Sequence, residues 1–445
     1  MPRQRKRIRR SNNNNNNNIS KKNDNHSKTT AVNGEWKVRN ITALRAMGRS
    51  PGGFVNNDLR RKIWPLLLYC DQLPEKPSPA YTELDTHKDE NQVELDIIRS
   101  FNTYPQDIPD EKKQELRTQL TSVITHVLRT HPKLHYYQGF HDIASIFLLL
   151  FGEKDASILM ENVSLFLIRY PFFKKHICTM NDNENPLPAP SSNAMLDSLD
   201  PILREITMID TIIQHEDPKL HIHMTESGVL PFYCLSWIIT WFSHDIDDIS
   251  KIVRLFDLFL SSNPLMPLYV AAALVLSRRQ LVLKESPDPS MIHTLLTKVP
   301  KNINIELLIK RAIELEKLYP PYELQQSSGI GLDQESSVNT YKEMWLKMVI
   351  IDDNNEEKDN KQQLLQSMRK KAQDILAMSA NERTPLPIDP KRVATISNNS
   401  NISFGKQLLD KMRQSYKHDP MLWTTVALSA GVITFAVATD QFGLV

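Results

Sequence analysis

Three short stretches hold the residues of this chain whose types and spacing could do chemistry. Leu59-Arg60-Arg61-Lys62-Ile63-Trp64-Pro65 sets a basic cluster ahead of a Trp at the start of an apolar run. Val93-Glu94-Leu95-Asp96-Ile97-Ile98-Arg99 spaces a carboxylate and a guanidinium three residues apart. Tyr136-Tyr137-Gln138-Gly139-Phe140-His141-Asp142 opens an apolar segment. On a helix the i,i+3 spacing lets Asp96 hold Arg99 in place; taken alone, that is an ordinary surface ion pair of little energetic weight. Gln138 ahead of Gly139 reads as a helix-start residue, and Trp64 as core.

Self-contained catalytic motifs are missing. There is no GxxxxGK followed by Ser or Thr: Gly405-Lys406 has neither the upstream Gly nor the hydroxyl residue. GxGxxG and GxSxG are absent too. His131-x-x-x-His135 lacks the Glu of HExxH and contains Pro132, and His221-x-His223 is as weak, so both pairs read as surface histidines and no metal site is expected. Glycine is scarce, 12 of 445 residues, well under half the usual ~7%, which counts against phosphate-cradling loops. A net charge of +2 predicts no single dominant electrostatic partner. Cys70, Cys178 and Cys234 form no CxxC pair, as befits a reducing compartment.

The elements that must position these stretches read as one all-α domain, residues 46–320. Leu116, Leu120, Val123, Ile124, Val127 and Leu128 recur at helical spacing between Pro109 and Thr130, with Asp110 as cap and Pro132 as stop. A second apolar helix is expected from Tyr137 to Phe151, and a core helix from Leu230 to Phe242. Further stripes cover Ile249 to Phe259 and Pro267 to Leu283. The Asn-, Pro- and Ser-rich stretch from Thr179 to Ser198 reads as a loop.

The ends differ from the middle. Six of the first ten residues are Arg or Lys and Asn12 to Asn18 is a homopolymer run, so residues 1–45 read as a disordered basic arm. The arm lacks interleaved aromatics, and no nucleic-acid partner is expected. Residues 321–419 read as linker, with possible helices at Gln362–Met378 and Phe404–Tyr416. As coil, such a linker would have an end-to-end distance of roughly 50–60 Å. Met421 to Thr439 carries no charge, and as a helix would span roughly 28 Å, close to a ~30 Å hydrocarbon core. Residues 420–440 therefore read as a single transmembrane tail anchor. Lys406, Lys411, Arg413 and Lys417 precede the span and no Lys or Arg follows it, which keeps the bulk of the chain cytosolic.

In their order along the chain, the three stretches resemble the TBC domain of Rab GTPase-activating proteins, a family with RxxxW, IxxDxxR and YxQG motifs. The matching residues are Arg60 with Trp64, Val93 with Asp96 and Arg99, and Tyr136 with Gln138 and Gly139. Val93 replaces Ile, and Phe140-His141 replaces the common Met-Asn. Glu226-Ser227-Gly228-Val229-Leu230-Pro231-Phe232 is similar to the family's Ser-Gly segment. The resemblance covers about 270 of 445 residues. The Tyr-Tyr-Gln-Gly-Phe-His-Asp stretch, the Leu-Ser-Trp-Ile-Ile-Thr-Trp-Phe helix and the apolar tail look like the subgroup anchored in the endoplasmic reticulum membrane, which acts on Rabs of early secretory traffic.

The resemblance implies a TBC-type helical domain and a role for each matched residue. Arg99 would be an arginine finger and Gln138 would orient the attacking water, both supplied in trans to a GTP-bound Rab. Asp96 would support Arg99, and Gly139 would allow close backbone approach. Tyr136 and Trp64 would be packing residues, and Arg60 would support the site. The chain would then activate a GTPase rather than run a reaction of its own, with no cofactor beyond the GTP and magnesium carried by the Rab. The competing reading is a non-catalytic, membrane-anchored Rab-binding scaffold; retention of both Arg99 and Gln138 favours activation.

Overall fold

The computed structural model describes residues 27–37, 39–70, 83–102, 105, 108–169, 193–347, 358–378, 382–393 and 404–418. Among these the regular structure is helical, apart from one isolated bridge between Asp333 and Pro385. The all-α expectation therefore holds.

The N-terminal half builds the scaffold. Helix α1 spans 27–37, followed by α2 (Ile41–Arg49) and α3 (Asn57–Leu67). The Asn40 and Asn56 side chains cap α2 and α3 by accepting from Ala43 N and Leu59 N at 2.9 and 3.0 Å. The short α4 (Glu90–Ile97) leads to the long pair α5 (Asp110–Thr130) and α6 (Phe140–Phe166), which pack along each other. Pro109, not Asp110, takes the capping position of α5, and Gly152 at φ +74° breaks the run of α6.

The second half packs α7 (Asn193–Glu216) against α8 (Pro218–Ser227) and α11 (Met266–Ser277). Between them lie α9 (Leu235–Ile239) and α10 (Ile249–Leu260). Helices α12 (Arg279–Val282), α13 (Pro289–Thr297) and α14 (Ile305–Leu318) complete the domain. One structural pin joins the halves. Asp257 of α10 has no exposure, and its carboxylate accepts from Arg60 Nη2 at 2.8 Å, Trp64 Nε1 at 2.9 Å and Phe54 N at 3.1 Å. Trp64 stacks there on Phe256, with Phe147 and Phe151 tilted against it.

Further expectations need correction. The first 45 residues do not all lie outside the fold: α1 and α2 bury Val32, Ile41 and Leu44 completely. Averaged composition hid the Asn40 cap and the Ile41/Leu44 stripe; residues 1–26 lie outside the described residues. Asn193 to Ser198, expected as loop, belong to α7, which begins at Asn193, and Thr179 to Ser192 lie outside the described residues. The core helix Leu230 to Phe242 is instead a 3₁₀ turn (Pro231–Cys234), then α9, then two left-handed residues, Trp241 (φ +53°) and Phe242 (φ +64°). With apolar side chains on every side, tertiary packing rather than periodicity decides its path.

The largest correction concerns residues 321–419. Helices α15 (Pro321–Ser328), α16 (Ser337–Tyr341), α17 (Lys358–Ala377) and α18 (Phe404–His418) fold back onto the domain. In α17, Leu365, Met368, Ala372, Ile375 and Leu376 form a buried face at helical spacing. Arg369 ion-pairs with the buried Glu161 and donates to Asn162 Oδ1 at 2.5 Å. In α18, Met412 is fully buried and Arg413 Nη2 meets Asp200 Oδ1 at 2.6 Å. The coil distance therefore does not apply. No helix among the described residues is long and apolar enough to cross a membrane; the span at 420–440 lies outside them.

Docking of α18 has a measurable consequence. Met412→Ala lowers stability by about 2–5 kcal/mol, whereas Lys411→Ala, on the exposed side, stays within about 0.5 kcal/mol. Equal urea midpoints for the two variants would show that α18 is not part of the folded unit.

Candidate active site

The site begins with the anchoring of α4. Arg129 of α5 reaches Glu90 with two parallel hydrogen bonds of 2.7 Å, which hold the Glu90 carboxyl below its usual range. After α4 the chain turns sharply. Arg99 N donates to Asp96 O at 3.2 Å, Asn102 Nδ2 to Arg99 O at 2.9 Å, and Arg117 donates twice to Ser100 O. Phe101 is buried in a left-handed conformation (φ +62°). The backbone around Arg99 is thus fixed while 37% of its side chain stays exposed.

The Asp96–Arg99 pair is not the surface pair its spacing suggests. Asp96 has no exposure, and Arg99 lies beyond the helix end. Arg99 Nη2 takes one carboxylate oxygen, and Tyr136 OH donates to the other at 2.9 Å. Burial, then the Asp96 charge, pushes the Tyr136 phenol well above its ordinary value, so the phenol keeps its proton and serves as donor.

The segment before α6 is held as firmly. Tyr136 N donates to Asp89 Oδ2 at 2.9 Å, and Tyr137 OH to Ile239 O at 3.1 Å. Gly139 caps α6 at φ +105°, and a Cβ there would lie 2.9 Å from Thr240 Cγ2. Only glycine combines that backbone with that contact. Gln138 is thereby presented, part-exposed, just ahead of the α6 N-terminus, where backbone N–H groups and the helix dipole favour negative charge.

Behind this pair lies a cluster of acids and imidazoles. His141 Nδ1 is 3.0 Å from Tyr136 OH. Since the phenol proton goes to Asp96, the network assigns a proton to His141 Nδ1. His141 Nε2 and His244 Nδ1 lie 3.6 and 3.3 Å from Asp142 Oδ2. Burial opposes ionisation of Asp142, but His141, His244 and Arg99 outweigh it and hold the carboxyl below its usual range. The hydrogen bond to Asp142 raises His244 to about 9 against the cost of burial. Burial raises the neighbouring Asp245 to about 6.

The structure brings together Asp96, Arg99, Tyr136 and Gly139, with Gln138 between the last two. Arg60 and Trp64 belong instead to the Asp257 pin and support the fold. Sequence reading missed His141, Asp142 and His244 as site residues. The departure at Phe140-His141 was a signal for the first two, but nothing in the sequence ties His244 to residues a hundred positions earlier. His131 and His221 are buried, not surface, residues, paired with Glu161 and Asp210 at 2.9 and 2.8 Å. Among the described residues, no three His, Cys, Asp or Glu side chains are grouped so as to hold a metal ion.

Two measurements follow from this geometry. Gly139→Ala forces a side chain into a left-handed position against Thr240 and lowers stability by about 1–3 kcal/mol in urea unfolding; a loss below about 0.5 kcal/mol would show that the turn relaxes freely. Glu205 lines a small cavity with Tyr137, Ile239 and Trp241, and burial raises its carboxyl from 4.5 to about 8. The folded chain therefore keeps a proton that the unfolded chain releases, so stability falls as pH rises from about 4.5 to about 8. Glu205→Gln removes that decline; an unchanged slope would mean that Glu205 ionises normally.

The model of the Rab-GTPase-TBC domain matches residues 57–283, from the start of α3 to just past α12. The chain is 36% identical over 307 residues to TBC1 domain family member 20 of Homo sapiens, covering 69% of this chain and 70% of that protein. It is 33% identical over 275 residues to the GTPase-activating protein gyp10 of Schizosaccharomyces pombe, covering 61% and 67%. To the GTPase-activating protein GYP8 of Saccharomyces cerevisiae it is 29% identical over 262 residues, covering 56% and 50%. Arg60, Trp64, Asp96, Arg99, Tyr136, Gln138 and Gly139 all fall inside the matched span, and the chain belongs to the Rab-GTPase-TBC domain family.

Proposed function

We propose that this chain is a GTPase-activating protein for a Rab of early secretory traffic, between endoplasmic reticulum and Golgi, and that it supplies Arg99 and Gln138 in trans. One observation carries this reading: a fully buried carboxylate, Asp96, holds a guanidinium that stays part-exposed, and Tyr136 occupies the other oxygen. A Rab alone hydrolyses GTP slowly because the attacking water is poorly oriented and charge develops on the phosphoryl oxygens. Arg99 is a planar, permanently charged fork suited to those oxygens. Gln138, with a donor and an acceptor on one amide, orients the water. The Rab runs the reaction and carries the GTP and magnesium; this chain contributes side chains and no cofactor.

The uncharged stretch Met421 to Thr439, with basic residues only before it, supports a single-pass tail anchor in the endoplasmic reticulum membrane. The family resemblance of that subgroup supports the choice of organelle. Confinement with prenylated Rabs on one surface would raise their effective concentration.

The test is phosphate release from a panel of GTP-loaded Rabs with the full chain in detergent. Stimulation of one early-secretory Rab is expected. Arg99→Ala and Gln138→Ala each reduce it by roughly 10³-fold or more, while binding of the GTP-bound Rab persists. Arg99→Lys fails as well, because a point ammonium lacks the fork. Near-wild-type stimulation by either Ala variant refutes the finger assignment. Binding without stimulation across the panel makes the chain a Rab-binding scaffold.

A further inference from the structure

The site holds one fully buried carboxylate, Asp96, a second that is 15% exposed, Asp142, and two cationic side chains that reach solvent, Arg99 and His244. The side chains of Arg99 and His244 are 37% and 39% exposed. Polar contacts link them in series. Arg99 meets Asp96, Asp96 accepts from Tyr136, Tyr136 faces His141, His141 faces Asp142, and Asp142 meets His244. We propose that His244 is a positioning residue of the GTPase-activating site: by holding Asp142, it keeps that carboxylate from drawing Arg99 inward, so that Arg99 stays aimed at the GTPase. This rests on the reading of Arg99 as the finger.

Local structure supports the assignment. His244 follows two buried aromatics, Trp241 and Phe242, both in left-handed backbone, a conformation unfavourable for bulky side chains and retained only where packing over-determines it. Trp241 packs on Phe256 and Phe259, and Phe242 stacks on Trp237. His244 N approaches Thr240 Oγ1 at 3.4 Å, and the methyl of the same Thr240 covers Gly139. His244 is thus seated beside the Gln138 turn by strained backbone.

The charged groups facing His244 are Asp142 on α6, Arg99 after α4, and Asp245 next to it. Asp142 also faces His141 and feels the Arg99 charge. With its pKa raised to about 9, His244 is cationic at neutral pH and faces Asp142 and the neighbouring Asp245, while His141 faces Asp142 as well. When His244 is neutral, Asp142 keeps His141 beside it but loses its partner on the other side, so on this proposal its pull on the permanent charge of Arg99 goes less opposed and turns Arg99 from its outward pose.

The experiment measures kcat and KM with the full chain and the GTP-loaded Rab that responds in the panel. His244→Gln lowers kcat about tenfold, with KM for the Rab within about twofold of wild type. His244→Lys, which keeps the charge, restores most of the loss. So does Asp142→Asn added to His244→Gln, because the carboxylate that needed the cation is gone. Stimulation by wild type, normalised to the Rab's intrinsic rate, falls as pH rises through about 9, while His244→Lys stays flat over that range. Wild-type kcat in His244→Gln, or a double variant no better than the single, overturns the proposal. Should His244→Gln melt early, the wild-type pH profile decides, and a flat one is a refutation. Arg99→Ala runs alongside: activity there refutes the finger reading, whereas a dead Arg99→Ala beside a fully active His244→Gln refutes only the role of His244.

Discussion

A carboxylate taken out of water must be met by donors, and much of this domain is arranged around that requirement. Asp257 and Asp96 both have no exposure. Asp257 gathers Arg60, Trp64 and the Phe54 amide, and so fastens the N-terminal helices to α10. Asp96 gathers Arg99 and Tyr136, and so fastens α4 to the segment that carries Gln138. Losing the guanidinium would leave a buried charge unmatched, a cost of several kcal/mol. The same device serves structure in one place and presentation of a cation in the other. What differs is the far side of the guanidinium: buried for Arg60, open for Arg99.

Presentation also depends on rigidity next to the exposed groups. Arg99 is followed by a left-handed Phe101, Gln138 by a left-handed Gly139, and His244 is preceded by left-handed Trp241 and Phe242. At Phe101, Trp241 and Phe242 such backbone survives only where neighbours fix it, whereas at Gly139 the residue itself permits it. A side chain that must meet a partner's reacting atoms gains most from being set in place beforehand.

The sequence disclosed the helices and the family motifs because both are local. Periodicity at Leu116 to Leu128 and at Ile249 to Phe259 reads directly as helix. The Asp96–Arg99 and Tyr136–Gly139 spacings likewise need only a short window. The burial of Asp96, which changes a surface pair into a mount, depends on Tyr136 forty residues away and was not legible. Nor was His244, whose partner Asp142 lies on another helix. The same limit explains residues 321–418: Leu365, Met368 and Ile375 make a helix legible, but not the α6 surface that covers its apolar face.

Helix α18 has a mechanical meaning. It lies on α7, held by the buried Met412, the Arg413–Asp200 pair and the approach of Thr207 to the Met412 sulfur at 3.5 Å. A chain that left the domain through loose coil would act as a leash, letting Arg99 face any direction within reach. A docked α18 acts as a bracket: any leash on this domain starts at residue 418, against α7, rather than at residue 320, and is shorter by about a hundred residues.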